Sequence, residues 1–423
     1  MLRNTCLLLI IHFILLLPAV AQEPALISLA NELNVERVDE LIVISRKQLS
    51  GKLRQIGEQY VLLHRNQRPV LVQYDDLDKD GQWDEIAFLE SFAPNEKKSY
   101  KLSLAASPAT IKAVVRAHAR HMRKGADDHF GNDLQTDSIP AGQAATDFTK
   151  QPLPPFLTEG PAWENDKVGF RIYFDVRNGK DIWGKTTPSM VLDTVGSDPK
   201  SDYHKLAPWG MDILKVGKSL GAGSLALRIK HKGVDTLVRL GGINMGRVVY
   251  EKIADGPIRA IFRLRYPEWK VMEGAMPVSL TEEIQISGGQ YFYSSSVRVL
   301  NAPKNACLTT GIVNLHSNDV YVLKQGRTRG IFTFDKQTEN NDELGMAIMM
   351  NKNDYRSLGT TKNKDSEVQN TYTIDSQIHP GKPIIFRFYA GWERSDDRFN
   401  TLRSFSDYMQ IEAIKFQSPI GIQ

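Results

Sequence analysis

Asp202-Tyr203-His204 and, a few residues on, Ala207-Pro208-Trp209-Gly210-Met211-Asp212 bring an imidazole, a phenol, an indole face and a carboxylate into one short stretch of chain. Histidine titrates near neutrality and so serves as a base without large perturbation. An aromatic face stacks on the C–H surface of a pyranose while acid and base groups reach its hydroxyls, so the stretch suits a sugar pocket. Gly217 and the small residues from Ser219 to Ser224 give tight backbone just after it. Tyr203 and His204 are adjacent, and in an extended strand their side chains would point to opposite faces. They share a site only if this loop is not a regular strand.

A second block, Trp163-Glu164-Asn165-Asp166, leads into Gly169-Phe170-Arg171-Ile172-Tyr173-Phe174-Asp175. Strand alternation sends Phe170, Ile172 and Phe174 to one face and Arg171, Tyr173 and Asp175 to the other. If that second face meets solvent, these are surface groups and cross-strand pairs. If it lines a cleft, the guanidinium holds a carboxylate bidentately and the phenol passes a proton.

Asp76, Asp78, Asp80 and Asp84 occupy positions one, three, five and nine of a calcium-type loop, with Gly81 at six. Position twelve is Ala87 instead of the bidentate glutamate, and strand patterns flank the loop, so it is not an EF-hand. An acidic hairpin turn and a bound structural calcium ion are the two readings. His118, His121 and His129 match no zinc spacing and read as a solvated face. Arg259, Arg263 and Arg265 share one face of a strand, which is either surface or a contact for an acidic substrate. Lys185, His316, Trp392 and Glu393 lie in or near loops with no motif around them. No Gly-x-Ser-x-Gly elbow and no Cys-His arrangement supports nucleophilic hydrolysis.

The elements that must position these groups are strands. Apolar residues recur at every second position in 70–74, 85–91, 169–176, 225–230, 258–266, 280–286, 291–300 and 384–389, between clusters of Gly, Asn, Asp and Pro. So many short strands predict a mostly β protein, a large antiparallel β-sandwich with long loops. Residues 124–161 lack periodicity and read as a long functional connection. Near the C-terminus Phe399, Leu402, Phe405 and Met409 fall on one helical face over 396–416, with Ser395 or Asp396 as cap.

Arg3, the apolar run Leu7 to Leu17 and the small residues Pro18-Ala19-Val20-Ala21 predict a signal peptide over 1–21, cut before Gln22, and hence a periplasmic or secreted protein. That run is shorter than the roughly 20 residues of a membrane span, and none later reaches that length, so no membrane association is expected. Cys6 leaves with the leader, Cys307 alone remains, and no internal disulfide can form. Residues 22–423 form one large β-sandwich domain in this reading, with a smaller N-terminal β portion over 22–120 as the alternative division. The formal charge of +4 shows no clustered basic stripe, which argues against a nucleic-acid partner.

The chain resembles the DUF4861 family, secreted bacterial proteins encoded among polysaccharide-utilisation enzymes. The resemblance rests on Asp75 to Glu85, on Trp163 to Asp166 with Phe170 to Tyr173, on Tyr203-His204 with Trp209 to Asp212, and on Tyr389 to Glu393. It implies a sandwich of the galactose-mutarotase type and an oligosaccharide dehydratase of the kind acting in ulvan breakdown. Such an enzyme removes water from a non-reducing-end uronic acid and leaves a 4,5-unsaturated sugar for a partner unsaturated-uronyl hydrolase. A pectin-derived substrate is also open. Chemistry then suggests roles: Arg171 neutralises the substrate carboxylate, His204 takes the C5 proton, and Tyr203 or Tyr173 protonates the departing O4. Asp212 or Glu164 orients them and Trp209 is the stacking platform. Trp163, Asn165 and Lys185 complete the set expected to touch an acidic oligosaccharide. The reaction requires no cofactor, so calcium at Asp76 to Asp84 would be structural. The alternatives are a sugar epimerase or mutarotase and a non-catalytic glycan-binding protein.

Overall fold

The computed structural model describes residues 25–53, 56–231, 233–361 and 366–423. The leader reading and its cut after Ala21 fall on residues outside these.

The alternating segments pair into a nine-stranded antiparallel sheet, ordered Tyr321–Gln325, Thr328–Lys336, Glu343–Asn351, Ile384–Trp392, Phe292–Leu300, Val278–Ser287, Arg259–Trp269, Val248–Asp255 and Thr136–Ile139. Period-two patterning divides its two faces. In Glu343–Asn351, Leu344, Met346, Ile348 and Met350 enter the main core, whereas Ala347 and Met349 meet the C-terminal helix. Two five-stranded sheets cover the core side. One is ordered Gly210–Asp212, Lys180–Lys185, Val168–Ile172, Ala162–Asn165 and Ala117–Arg120; the other Val234–Arg239, Ala222–His231, Cys307–Val313, Thr371–Gln377 and Tyr355–Thr360. The result is the expected large, mostly β antiparallel sandwich with long loops and one long C-terminal helix.

Residues from Leu26 to Ala105 form two further small sheets around a separate core that includes Ile42, Val61, Phe88 and Tyr100. The strand Gly421–Ile422 pairs with Leu26–Ala30 and so joins residues far apart in the sequence to this unit. This unit docks on the far face of the nine-stranded sheet through Arg259, which is buried against Asp75 at 2.6 Å and also pairs with Glu85. The arginine row therefore faces protein partners, with Arg263 on Glu283 at 2.7 Å and Arg265 on Glu251.

Several boundaries differ from expectation. Pairing over 70–74 begins only at Gln73, just after a short bridge that ends on Pro69. The strand expected over 169–176 stops at Ile172, because Asp175 Oδ1 accepts from the Arg177 amide and turns the chain. The helix expected over 396–416 is two pieces. Asp396 caps a single turn, Asp397–Phe399, and Thr401 caps the long helix Leu402–Gln417. Residues 124–161 are largely irregular, with one edge strand, Thr136–Ile139, and the short turn Leu157–Glu159.

Candidate functional site

Arg171 lies opposite Asp181 on the neighbouring strand, and Asp212 comes from the next strand over. The second face of Val168–Ile172 is neither open solvent nor an open cleft. The Leu157–Glu159 turn and the segment carrying Leu192 and Val195 cover it, which leaves Arg171 1% exposed. Its Nη2 donates to Asp212 Oδ2 at 2.6 Å, to Asp181 Oδ2 at 2.9 Å and to the Tyr173 hydroxyl at 2.8 Å. Nη1 reaches the Thr158 carbonyl at 3.3 Å and the Tyr203 hydroxyl at 3.5 Å. The rings of Tyr173, Trp183 and Tyr203 surround the guanidinium at 4.6, 5.0 and 5.6 Å. The expected substrate clamp is thus fully occupied by the protein, and its observed work is to hold two buried carboxylates.

Burial and the adjacent Asp181 push the Asp212 carboxyl well above the usual range, against the opposing pull of Arg171. Burial likewise raises both tyrosines, so their phenols stay protonated at neutral pH. Tyr173 donates its proton to Asp181 at 3.1 Å and lies beneath Arg177, 3.9 Å from the ring centre. The Tyr203 hydroxyl accepts from Arg171, and among the described residues its own proton has no acceptor.

Residues 203 and 204 sit in a turn, stabilised where Asp202 Oδ1 accepts from the His204 amide at 3.1 Å. The turn removes the strand alternation that would separate them, and their rings lie 4.6 Å apart. The Asp212 amide donates to the Tyr203 carbonyl at 2.9 Å, which fixes the turn to the sheet. The His204 ring is 50% exposed, its Nδ1 3.7 Å from Asp212 Oδ2 and 3.9 Å from Glu339 Oε2. Both distances are longer than a hydrogen bond. Trp209 is half-buried beside Trp183, with ring centres 5.8 Å apart. His204, Tyr203, Asp212, Trp209 and Tyr173 thus form one cluster with Arg171 at its base.

Four expected substrate contacts lie elsewhere. Trp163 is 1% exposed and packs on Phe170, Phe262 and Tyr293 in the sandwich core. Asn165 spends its amide on the Ser287 and Gln290 carbonyls, and its oxygen on the Lys167 and Val168 amides. Glu164 pairs with Lys185 and accepts from the Val191 and Leu192 amides, so it does not orient His204. Lys185 is equally buried. The block is the end of the strand Ala162–Asn165 and the start of the turn after it, and Asn165 joins the small sheet to the nine-stranded one. Trp392 is also internal, bonded to Asp342 through Nε1 at 3.2 Å.

Sequence reading missed Asp181, Glu159, Trp183 and Glu339. Asp181 was detectable as the residue facing Arg171 across a hairpin, whereas Glu339 sits in a polar run that looks like any turn. The histidines read as solvated also differ. His121 is fully buried against Asp137 at 2.8 Å, and His118 bridges Asp193 and Asp255 at 2.9 and 3.0 Å; His129 alone is exposed. At the acidic hairpin, carboxylate oxygens of Asp76, Asp78 and Asp84 gather within 4.8 Å of one another. Asp80 is not among them, and its Oδ1 accepts from the Gln82 amide.

A family model described as "Domain of unknown function (DUF4861)" matches residues 29–422. A Formosa agariphila protein named "Uncharacterized protein P7" is 23% identical over 418 residues, which is 95% of this chain and 93% of that protein. Among solved structures, an alpha-mannosidase from Enterococcus faecalis V583 superposes with a TM-score of 0.50 at 10% identity, over 94% of this chain and 45% of its own. A glycosyl hydrolase family 38 protein from Enterococcus faecalis gives 0.51 at 10% identity, over 96% and 48%. The chain spans a little under half the length of these two structures, and the likeness is one of fold.

Proposed function

The chain belongs to the DUF4861 family, and from that premise we propose that it is a carbohydrate-active lyase, an oligosaccharide dehydratase acting on a non-reducing-end uronic acid. The observation that carries this reading is the half-exposed His204 ring set on Asp212, with the Tyr203 phenol alongside it and the Arg171 guanidinium beneath. His204 takes the C5 proton, the C5–H electrons form the C4=C5 bond, and the C4–O4 bond breaks. O4 receives the Tyr203 proton and leaves as water. Tyr203 is favoured over Tyr173 as the acid because its proton is uncommitted and Arg171 stands ready to stabilise the phenolate. The substrate carboxylate meets a cation at the mouth instead of Arg171. Lys205, exposed beside His204 with Asp202 as its counter-ion at 3.3 Å, is suited to that work. The same reading puts the mature protein in the periplasm or outside the cell, with an unsaturated-uronyl hydrolase consuming its product.

Tyr203→Phe tests the assignment. Turnover of saturated uronic-acid-terminated disaccharides should fall about a hundredfold or more with KM little changed. A variant with native turnover would remove Tyr203 from the chemistry.

A further inference from the structure

On the outer face of the sheet containing Ala222–His231, Cys307–Val313 and Thr371–Gln377 lies a cleft of about 800 Å³, within the range of ligand-binding cavities. It is separate from His204. Gly223 of the same strand touches Lys180 beside the Arg171 cluster, and Lys230 at the cleft is seven residues further on, roughly 23 Å of extended chain.

The cleft floor is built. Asp375, 2% exposed, accepts from Arg228 Nε at 2.9 Å, Thr309 Oγ1 at 2.7 Å and Ser357 Oγ at 2.7 Å. Its charge is therefore answered, and Arg228, which also donates from Nη2 to Thr373 Oγ1 at 3.4 Å, is anchored in the cleft lining. Around the floor stand Lys230, Lys304 and Arg356, all exposed and, among the described residues, in no ion pair. Asp235 is the one further acidic group in the lining. Lys230 is set across from Asp235 on the neighbouring strand, and Lys304 and Arg356 beside the anchored arginine leave the cleft with an excess of positive charge, which favours an anion. The lining contains no aromatic ring, so recognition rests on charge and hydrogen bonds. That excludes the base-stacking platform a single-stranded nucleic acid needs.

We infer that this cleft is an accessory subsite for an acidic glycan segment bearing carboxylate or sulfate groups, distinct from the site at His204. The glycan class rests on the function proposed above; the anion preference rests on the cleft alone.

The test is binding of oligogalacturonate, dextran sulfate, neutral dextran and a single-stranded oligonucleotide to the mature protein, in native and His204→Ala backgrounds. Salt-sensitive binding of the two acidic glycans, absent for neutral dextran and weakened about tenfold in Lys304→Glu/Arg356→Glu, supports the subsite. The two acidic probes separate carboxylate from sulfate recognition. Equal binding of neutral dextran, tighter binding of the oligonucleotide, no binding, or an unaffected double variant would overturn it. Binding that persists where no dehydration is found keeps the subsite and rejects the catalytic reading.

Discussion

At the scale of single residues, charge placed beyond the reach of water decides what each group can do. Arg171 neutralises Asp181 and Asp212 in a space where neither carboxylate can be hydrated, so it belongs to the protein before any substrate arrives. Replacing it leaves two buried acids unpaired, and Arg171→Met is expected to lose about 3–5 kcal/mol of stability by denaturant unfolding. A loss under about 1 kcal/mol would mean that the buried site does not depend on Arg171 as a counter-ion. His204 has the opposite setting. Its ring is half in solvent and packs on Tyr203, so its removal should be felt in chemistry and hardly in stability.

At the scale of elements, the strand register that joins Arg171 to Asp181 and Trp183 to Asp212 assembles the cluster. Gly210 makes the last pairing available. Its φ is +129°, and a Cβ there would lie 1.8 Å from the Gly184 carbonyl oxygen. Gly210→Ala should therefore displace Gly210–Asp212 and lower both the melting temperature and the soluble yield; a variant with native melting would show that the strand end tolerates a shift. Alternating residues made the strands legible in the sequence, and the Tyr203-His204 and Trp209 to Asp212 stretches marked the cluster, because each depends on neighbours close in the chain. The roles of Glu164, Asn165 and Lys185 were not legible. Whether a polar side chain meets substrate or a buried partner depends on what covers the strand, and here the cover comes from Leu192, from Ser287 at the end of a distant strand and from Gln290 in the connection after it. Glu339 escaped notice for the same reason: its amide bonds to the Ile213 carbonyl from far along the chain.

At the scale of the whole molecule, ionic ties hold the small site-bearing sheet on the nine-stranded one. His118 on Ala117–Arg120 bonds Asp255 on Val248–Asp255, with Asp193 on its other nitrogen. Burial opposes its charge, but the two carboxylates carry its pKa from 6.5 up to about 10. The folded state thus keeps a proton that the unfolded chain releases, so this stabilisation is full below pH 6.5 and is lost as pH rises toward about 10. The melting temperature should fall across that window, and His118→Gln should flatten the fall; an unchanged slope would place the pH dependence elsewhere. The most direct test of the central claim is the product itself, from wild type and His204→Ala acting on saturated uronic-acid-terminated disaccharides from ulvan and pectin, followed by ultraviolet absorbance and mass. The account predicts loss of one water with rising absorbance in the wild type and neither in the variant; an unchanged product mass with every substrate would contradict it.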